Sequence, residues 1–187
     1  MKVLVIYSHP FATSFNHALL EAFSDGLKKA GHDYEVVDLY RDNFNPVLAD
    51  VSSRAEAGED VKAYQEKIRE ADCLAFIFPI FWFRAPAILG GFIDRVFSAG
   101  FAFKYVKSRP LGLLKGKKAV VIETYGGPGW YYNILMSRIP WRLFRSTLTF
   151  CGLKIAGHQA CYNVPFGKDE TRKTYLERAR RMGEWLK

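Results

Sequence analysis

The chain has 187 residues, 49% hydrophobic and 25% charged, the size and balance of one compact domain with no need of a disulfide or structural metal. Its three cysteines, Cys73, Cys151 and Cys161, are odd in number and form no CxxC pair, which argues against a secreted disulfide scaffold and a cysteine zinc site and for a reducing cytoplasm. Twenty-seven basic and 19 acidic residues give a formal net charge of +8.

That charge is uneven. Residues 1–103 hold 10 basic and 14 acidic residues, residues 104–154 hold 10 and 1, and residues 155–187 hold 7 and 4. Positive potential in the second half suits phosphate-bearing ligands, nucleic acid or an anionic membrane, and equally a plain solvated face. No nucleic-acid module accompanies the charge, and none is expected as a partner. The longest apolar run, Cys73 to Phe83, is 11 residues and contains Pro79, against about 20 for a bilayer span. Membrane contact is therefore expected to be peripheral at most. His9, His17, His32 and His158 show no paired ligand spacing, so no metal is expected.

Val3 to Ser8 is a β-branched apolar run that reads as a buried first strand. From Phe15 apolar residues recur at Ala18, Leu19, Ala22, Phe23, Leu27 and Ala30, the spacing of an amphipathic helix that Gly31 ends. Tyr34 to Tyr40 is a second strand, residues 41–60 are polar and turn-rich, Val61 to Ala71 is helical, and Leu74 to Ile80 is a third strand. Pro86 suits the start of a helix through Phe97, in which Gly90 and Gly91 permit close packing. A basic loop leads to a fourth strand, Ala119 to Thr124. Residues 131–150 are helical but interrupted by Pro140, Lys154 to Val164 holds a fifth strand, and Asp169 caps a last helix running to Lys187.

Strands alternating with helices predict a single α/β domain over residues 1–187: a doubly wound, five-stranded parallel sheet of order 2-1-3-4-5 with helices on both faces. Ligands of such folds bind beyond the carboxyl ends of the strands, at the switch between the first and third. Three loops lie there. In the first, His9 to Asn16, the hydroxyls of Thr13 and Ser14 and the free N–H groups of the helix suit a phosphate, although Ser14 as a plain cap and His9 as a turn residue is the blander account. In the second, Phe81, Trp82 and Phe83 suit a planar ring, with core filling as the alternative. In the third, TYGGPG lets backbone N–H groups approach a ligand closely.

HPFATSFN, FPIFWFRAPAILGGFIDRVF and TYGGPGWYY, supported by DLYRDNFNP and FCG, resemble the diaphorase-type NAD(P)H:quinone oxidoreductases, a family of flavodoxin fold. The resemblance covers most of residues 1–165. It implies a flavin, FAD first and FMN second, with NAD(P)H as co-substrate, a quinone-like acceptor, ping-pong two-electron transfer and a cytoplasmic homodimer. It places His9, Ser14, Phe15 and Asn16, with Thr13 beside them, on the phosphate arm. Pro79, Ile80, Phe81, Trp82 and Phe83 would hold the isoalloxazine, and Thr124, Tyr125, Gly126 and Gly127 its pyrimidine edge. Tyr132 matches a family active-site tyrosine, and Arg138 stands where the family uses a histidine. A guanidinium stays charged at neutral pH, so Arg138 suits an anion and not proton transfer. His17 and His158 are expected to be structural. A rival reading, an ancillary regulatory flavoprotein of a membrane potassium-efflux system, would dock through Trp141, Phe144, Arg142 and Arg145. An electron-carrier flavodoxin is disfavoured by the aromatic pocket.

Overall fold

A computed structural model describes residues 1–49 and 58–187. Five parallel strands make the sheet: β1 (Lys2–Tyr7), β2 (Asp33–Asp38), β3 (Cys73–Pro79), β6 (Lys118–Thr124) and β7 (Lys154–Cys161), in the spatial order β2-β1-β3-β6-β7. Ranked among themselves these are strands 2-1-3-4-5, as expected. The numbering differs because a small antiparallel hairpin, β4 (Phe103–Val106) and β5 (Arg109–Gly112), stands where the sequence reads as a basic loop. Its two-residue turn, Lys107-Ser108, has both residues at positive φ. Such turns announce themselves through Asn-Gly or Asp-Gly, and Lys-Ser carries no such signal.

The central strands are apolar throughout because both of their faces are covered. Leu4, Ile6, Leu74, Phe76, Phe78, Ala119 and Val121 pack towards one layer, and Val3, Val5, Cys73, Ala75, Ile77, Val120 and Ile122 towards the other. The first layer is built from α2 (Glu59–Glu70), α3 (Ala87–Val96) and α4 (Ile139–Phe150), the second from α1 (Phe15–Lys29) and α5 (Asp169–Glu184). Each fully buried Leu, Ile or Phe in these layers is worth roughly 1.5–3 kcal/mol.

Several boundaries differ from the sequence reading. Asp169 is not the cap of α5 but its first residue, after Lys168, and its carboxylate pairs with Arg172 at 2.5 Å. Pro140 does not interrupt a helix. It lies in the first turn of α4, where a missing N–H costs nothing, and the break precedes it at Ser137 and Arg138, both at positive φ. Before that break lies one wide π turn, Tyr131–Leu135, closed by the Met136 N–H on the Tyr131 carbonyl at 3.0 Å. Of the two glycines expected to allow close packing, only Gly91 does so: a Cβ there would overlap the backbone of Pro46, whereas one at Gly90 would meet open space. Of the turn-rich stretch 41–60, residues 50–57 lie outside the described residues. Among the described residues no helix is long and apolar enough to cross a membrane.

Candidate functional site at the strand switch

Because β1, β3 and β6 are neighbours in the sheet, the loops that follow them emerge side by side. They are also bonded to one another. The Ser8 N–H donates to the Ile77 carbonyl at 3.1 Å and the Ile80 N–H to the Thr124 carbonyl at 2.8 Å. Asn16 Nδ2 donates to Thr124 Oγ1 at 2.9 Å, a buried bond between positions 108 residues apart. His9 to Asn16, Pro79 to Phe83 and Thr124 to Gly127 thus form one rim.

In the first loop Ser14 caps α1, its Oγ accepting from the His17 N–H at 3.2 Å while lying 3.3 Å from Tyr7 Oη. His9 does hold a turn: the Phe11 N–H donates to its Nδ1 at 3.1 Å. Burial lowers the His9 imidazole below its ordinary value, an effect the nearby Phe11 carbonyl opposes. Phe15 is half-buried, its side chain packed against the core beneath α1. Thr13 is exposed. Two buried acceptors here, Ser8 Oγ and Asn16 Oδ1, have no partner. Buried polar groups are rarely left so, and each calls for a partner such as a water or a ligand.

The second loop is a tight reversal. Phe81 and Arg84 exchange N–H···O bonds of 2.9 and 3.1 Å, and the two residues between them, Trp82 and Phe83, stand at φ of +49° and +61°. Bulky side chains in the left-handed region cost about 1–2 kcal/mol each. Nor do the aromatics fill the core: Phe81, Trp82 and Phe83 are 43, 87 and 36% exposed. Pro79 closes β3 and is buried, and Ile80 packs against the core.

The third loop is fastened from behind. The Tyr125 N–H donates to the Cys161 carbonyl at 2.8 Å, the Val164 N–H to the Tyr125 carbonyl at 3.0 Å, and the Asn163 N–H to the Gly127 carbonyl at 2.8 Å. Gly126 is exposed with open space where a side chain would be, and the Tyr132 ring lies against Gly127. Tyr132 is half-buried, 4.5 Å from the Tyr125 ring and 6.2 Å from that of Phe83, which joins the second and third loops. Arg138 is exposed. Its N–H donates to the Tyr132 carbonyl at 2.8 Å, and its charge opposes the burial that raises the Tyr162 phenol.

Residues 1–186 match the Flavodoxin_2 family, described as flavodoxin-like fold. The NAD(P)H dehydrogenase [quinone] 1 of Rattus norvegicus is 32% identical over 202 residues, spanning 94% of this chain and 74% of that protein. The chain belongs to the NAD(P)H:quinone oxidoreductase family of flavodoxin-like fold. Among solved members of this likeness, the NAD(P)H:quinone oxidoreductase from Methanothermobacter marburgensis superposes with a TM-score of 0.83 at 34% identity, covering 98% of this chain and 96% of that one. Smu.1420 from Streptococcus mutans UA159 gives 0.89 at 32% identity with both chains fully covered.

Within this family member the sequence reading passed over Glu123. It is fully buried, and its Oε1 accepts from Tyr125 Oη at 2.7 Å and lies 2.8 Å from His158 Nε2. The signal for it was a lone one: Glu123 is the single acidic residue in 104–154 and sits in an otherwise apolar strand. His158, expected to be structural, stacks on Trp141 with ring centroids 3.6 Å apart.

Proposed function

We propose that the protein is a flavin-dependent NAD(P)H:quinone oxidoreductase whose site is the rim described above. The observation that carries this reading is the tight turn at Trp82 and Phe83, which spends strain to hold aromatic faces in solvent directly beside an open glycine loop. The donor set fits a flavin. Neutral hydroxyls and helix N–H groups at Thr13, Ser14, Phe15 and Asn16, with His9, suit its phosphate arm, while the unpartnered Ser8 Oγ and Asn16 Oδ1 suit a hydroxyl donor on the ligand and not the phosphate itself. Pro79 to Phe83 would flank the ring system, and the backbone of Thr124 to Gly127 would meet its pyrimidine edge.

Bound flavin would supply the two-electron relay between NAD(P)H and a quinone-like acceptor, in a ping-pong order with both co-substrates using one pocket. The chain's own residues do the rest. Trp82 and Phe83 stack on flat rings and exclude water. The Gly126 and Gly127 amides, in an open loop, would meet the edge where a bound flavin's negative charge builds. The Tyr132 hydroxyl is a hydrogen-bonding group beside the pocket, and the Arg138 guanidinium attracts an anionic group such as a nicotinamide phosphate. FAD is the first choice and FMN the second. The stretch 47–61, which bears on adenine contacts, includes residues outside the described ones. Trp82, Trp130, Ile134, Leu135 and Leu143 are large apolar side chains each at least 60% exposed, which suits burial in a homodimer. The three free, buried cysteines suit a cytoplasmic setting.

The ancillary-subunit reading loses its aromatic anchors, since Trp141 is stacked on His158 and Phe144 is buried against Phe76 and Phe78, and keeps only the exposed Arg142 and Arg145. Mass spectrometry of the extracted cofactor, with NAD(P)H oxidation assayed with and without benzoquinone, tests the proposal. Flavin and acceptor-dependent oxidation are expected, and their joint absence refutes it.

A further inference from the structure

The buried carboxylate of Glu123 has no part in the chemistry above, yet its placement is specific. It lies on the β6 face that packs towards α4, between Phe78 of β3 and Ala160 of β7 in the sheet register. A polar group buried in such surroundings costs free energy unless it is hydrogen-bonded. Oε1 takes both available bonds, from Tyr125 and His158, and Oε2 has no partner. Because side chains two apart on a strand share a face, Glu123 reaches Tyr125 across the very end of β6, where the strand gives way to Gly126 and Gly127.

From there the contacts run in two directions. Tyr125, 3% exposed, packs its ring 4.5 Å from Tyr132 and 4.9 Å from Tyr162. Tyr132 in turn covers Gly127, and Tyr162 Oη donates to Asn133 Oδ1 at 2.9 Å in the π turn. On the other side His158 stacks in parallel on Trp141, in the first turn of α4. One carboxylate oxygen therefore joins the glycine loop, the π turn and α4. A loop of small residues has little side-chain packing of its own to fix where its amides point, so its geometry is set by what is fastened beneath it.

We propose that Glu123 is a positioning residue for the flavin site: by holding the Tyr125 phenol it fixes the Gly126 and Gly127 amides and the Tyr132 ring at the pocket edge. This rests on the functional reading above, which assigns none of these roles to Glu123 or His158.

The test uses the full-length protein in its flavin-free and flavin-loaded forms, with Y125F, E123Q and E123L. Y125F deletes one O–H and leaves every ring in place, so it serves even if E123L fails to fold. In Y125F the flavin dissociation constant should rise about fivefold, the scale of one lost buried hydrogen bond. Amide hydrogen exchange at Tyr125, Asn163 and Val164, whose N–H groups fasten the loop, should quicken by a similar factor in the flavin-free protein, with β1 and β3 unmoved. E123L should do the same or more. E123Q, which keeps an acceptor for both neighbours, should stay within about twofold on both readouts. If the wild type binds flavin and Y125F matches it in both affinity and exchange, the proposal falls while the functional reading stands. Uptake of no flavin by the wild type overturns the two together.

Discussion

Asn16 and Thr124 are joined by a hydrogen bond of 2.9 Å that ties the first turn of α1 to the end of β6, and it leaves Asn16 Oδ1 buried and unpaired. One side chain thus serves two ends: its amide nitrogen fastens the rim, and its oxygen waits for a donor. Replacing Asn16 with Leu should cost about 1–3 kcal/mol of stability through the Thr124 hydroxyl left behind. It should weaken flavin binding at least about tenfold, the price of losing a rim contact as well. Chemical denaturation of the flavin-free protein and a flavin titration measure the two effects separately.

The turn at Trp82 and Phe83 makes an opposite prediction. Trp82 is 87% exposed at positive φ, so Trp82→Gly relieves strain and loses little packing. A gain of about 1 kcal/mol in stability is expected, after allowing for the extra freedom glycine adds to the unfolded chain. Steady-state kinetics should show the cost as a raised KM for the quinone. A fall in melting temperature would contradict the strain argument.

Two adjacent glycines in α3 should behave oppositely. Gly91→Ala forces a methyl group into the backbone of Pro46 and should destabilise by about 1–3 kcal/mol, as overpacking does. Gly90→Ala meets open space and should stabilise by about 0.5–1 kcal/mol through the better helix former. Urea unfolding of the two variants beside the wild type decides it.

His9 gives the site a pH dependence. Burial lowers its folded value, so the unfolded chain takes up the proton first as pH falls below the ordinary value of about 6.5. Stability should therefore decline with falling pH from about 6.5 down to the depressed folded value, then level. In His9→Asn that component of the slope should vanish, as a difference in unfolding free energy between the two proteins measured across the same pH series. A bound phosphate favours the charged imidazole, so flavin binding to the wild type near pH 6 should take up protons.

Much of this was legible in the chain. Uniformly apolar strands such as Leu74 to Phe78 and the helical spacing from Phe15 to Leu27 gave the doubly wound order, because burial on both faces leaves no polar alternation to mislead. The three loops followed from topology, since the switch point places the ends of β1, β3 and β6 together. What escaped depended on unusual backbone or on pairing across the fold. Lys107-Ser108, Trp82-Phe83 and Ser137-Arg138 all turn through positive φ without the glycine or asparagine that marks such turns. Glu123 and His158 are 35 positions apart, and only the β6–β7 pairing brings them within 2.8 Å.

The visible absorption spectrum of the purified protein tests the central claim most directly. A flavin spectrum that bleaches anaerobically with NAD(P)H and returns on adding benzoquinone is the predicted result. A colourless protein that takes up neither FAD nor FMN, and oxidises no NAD(P)H when benzoquinone is supplied, would contradict it.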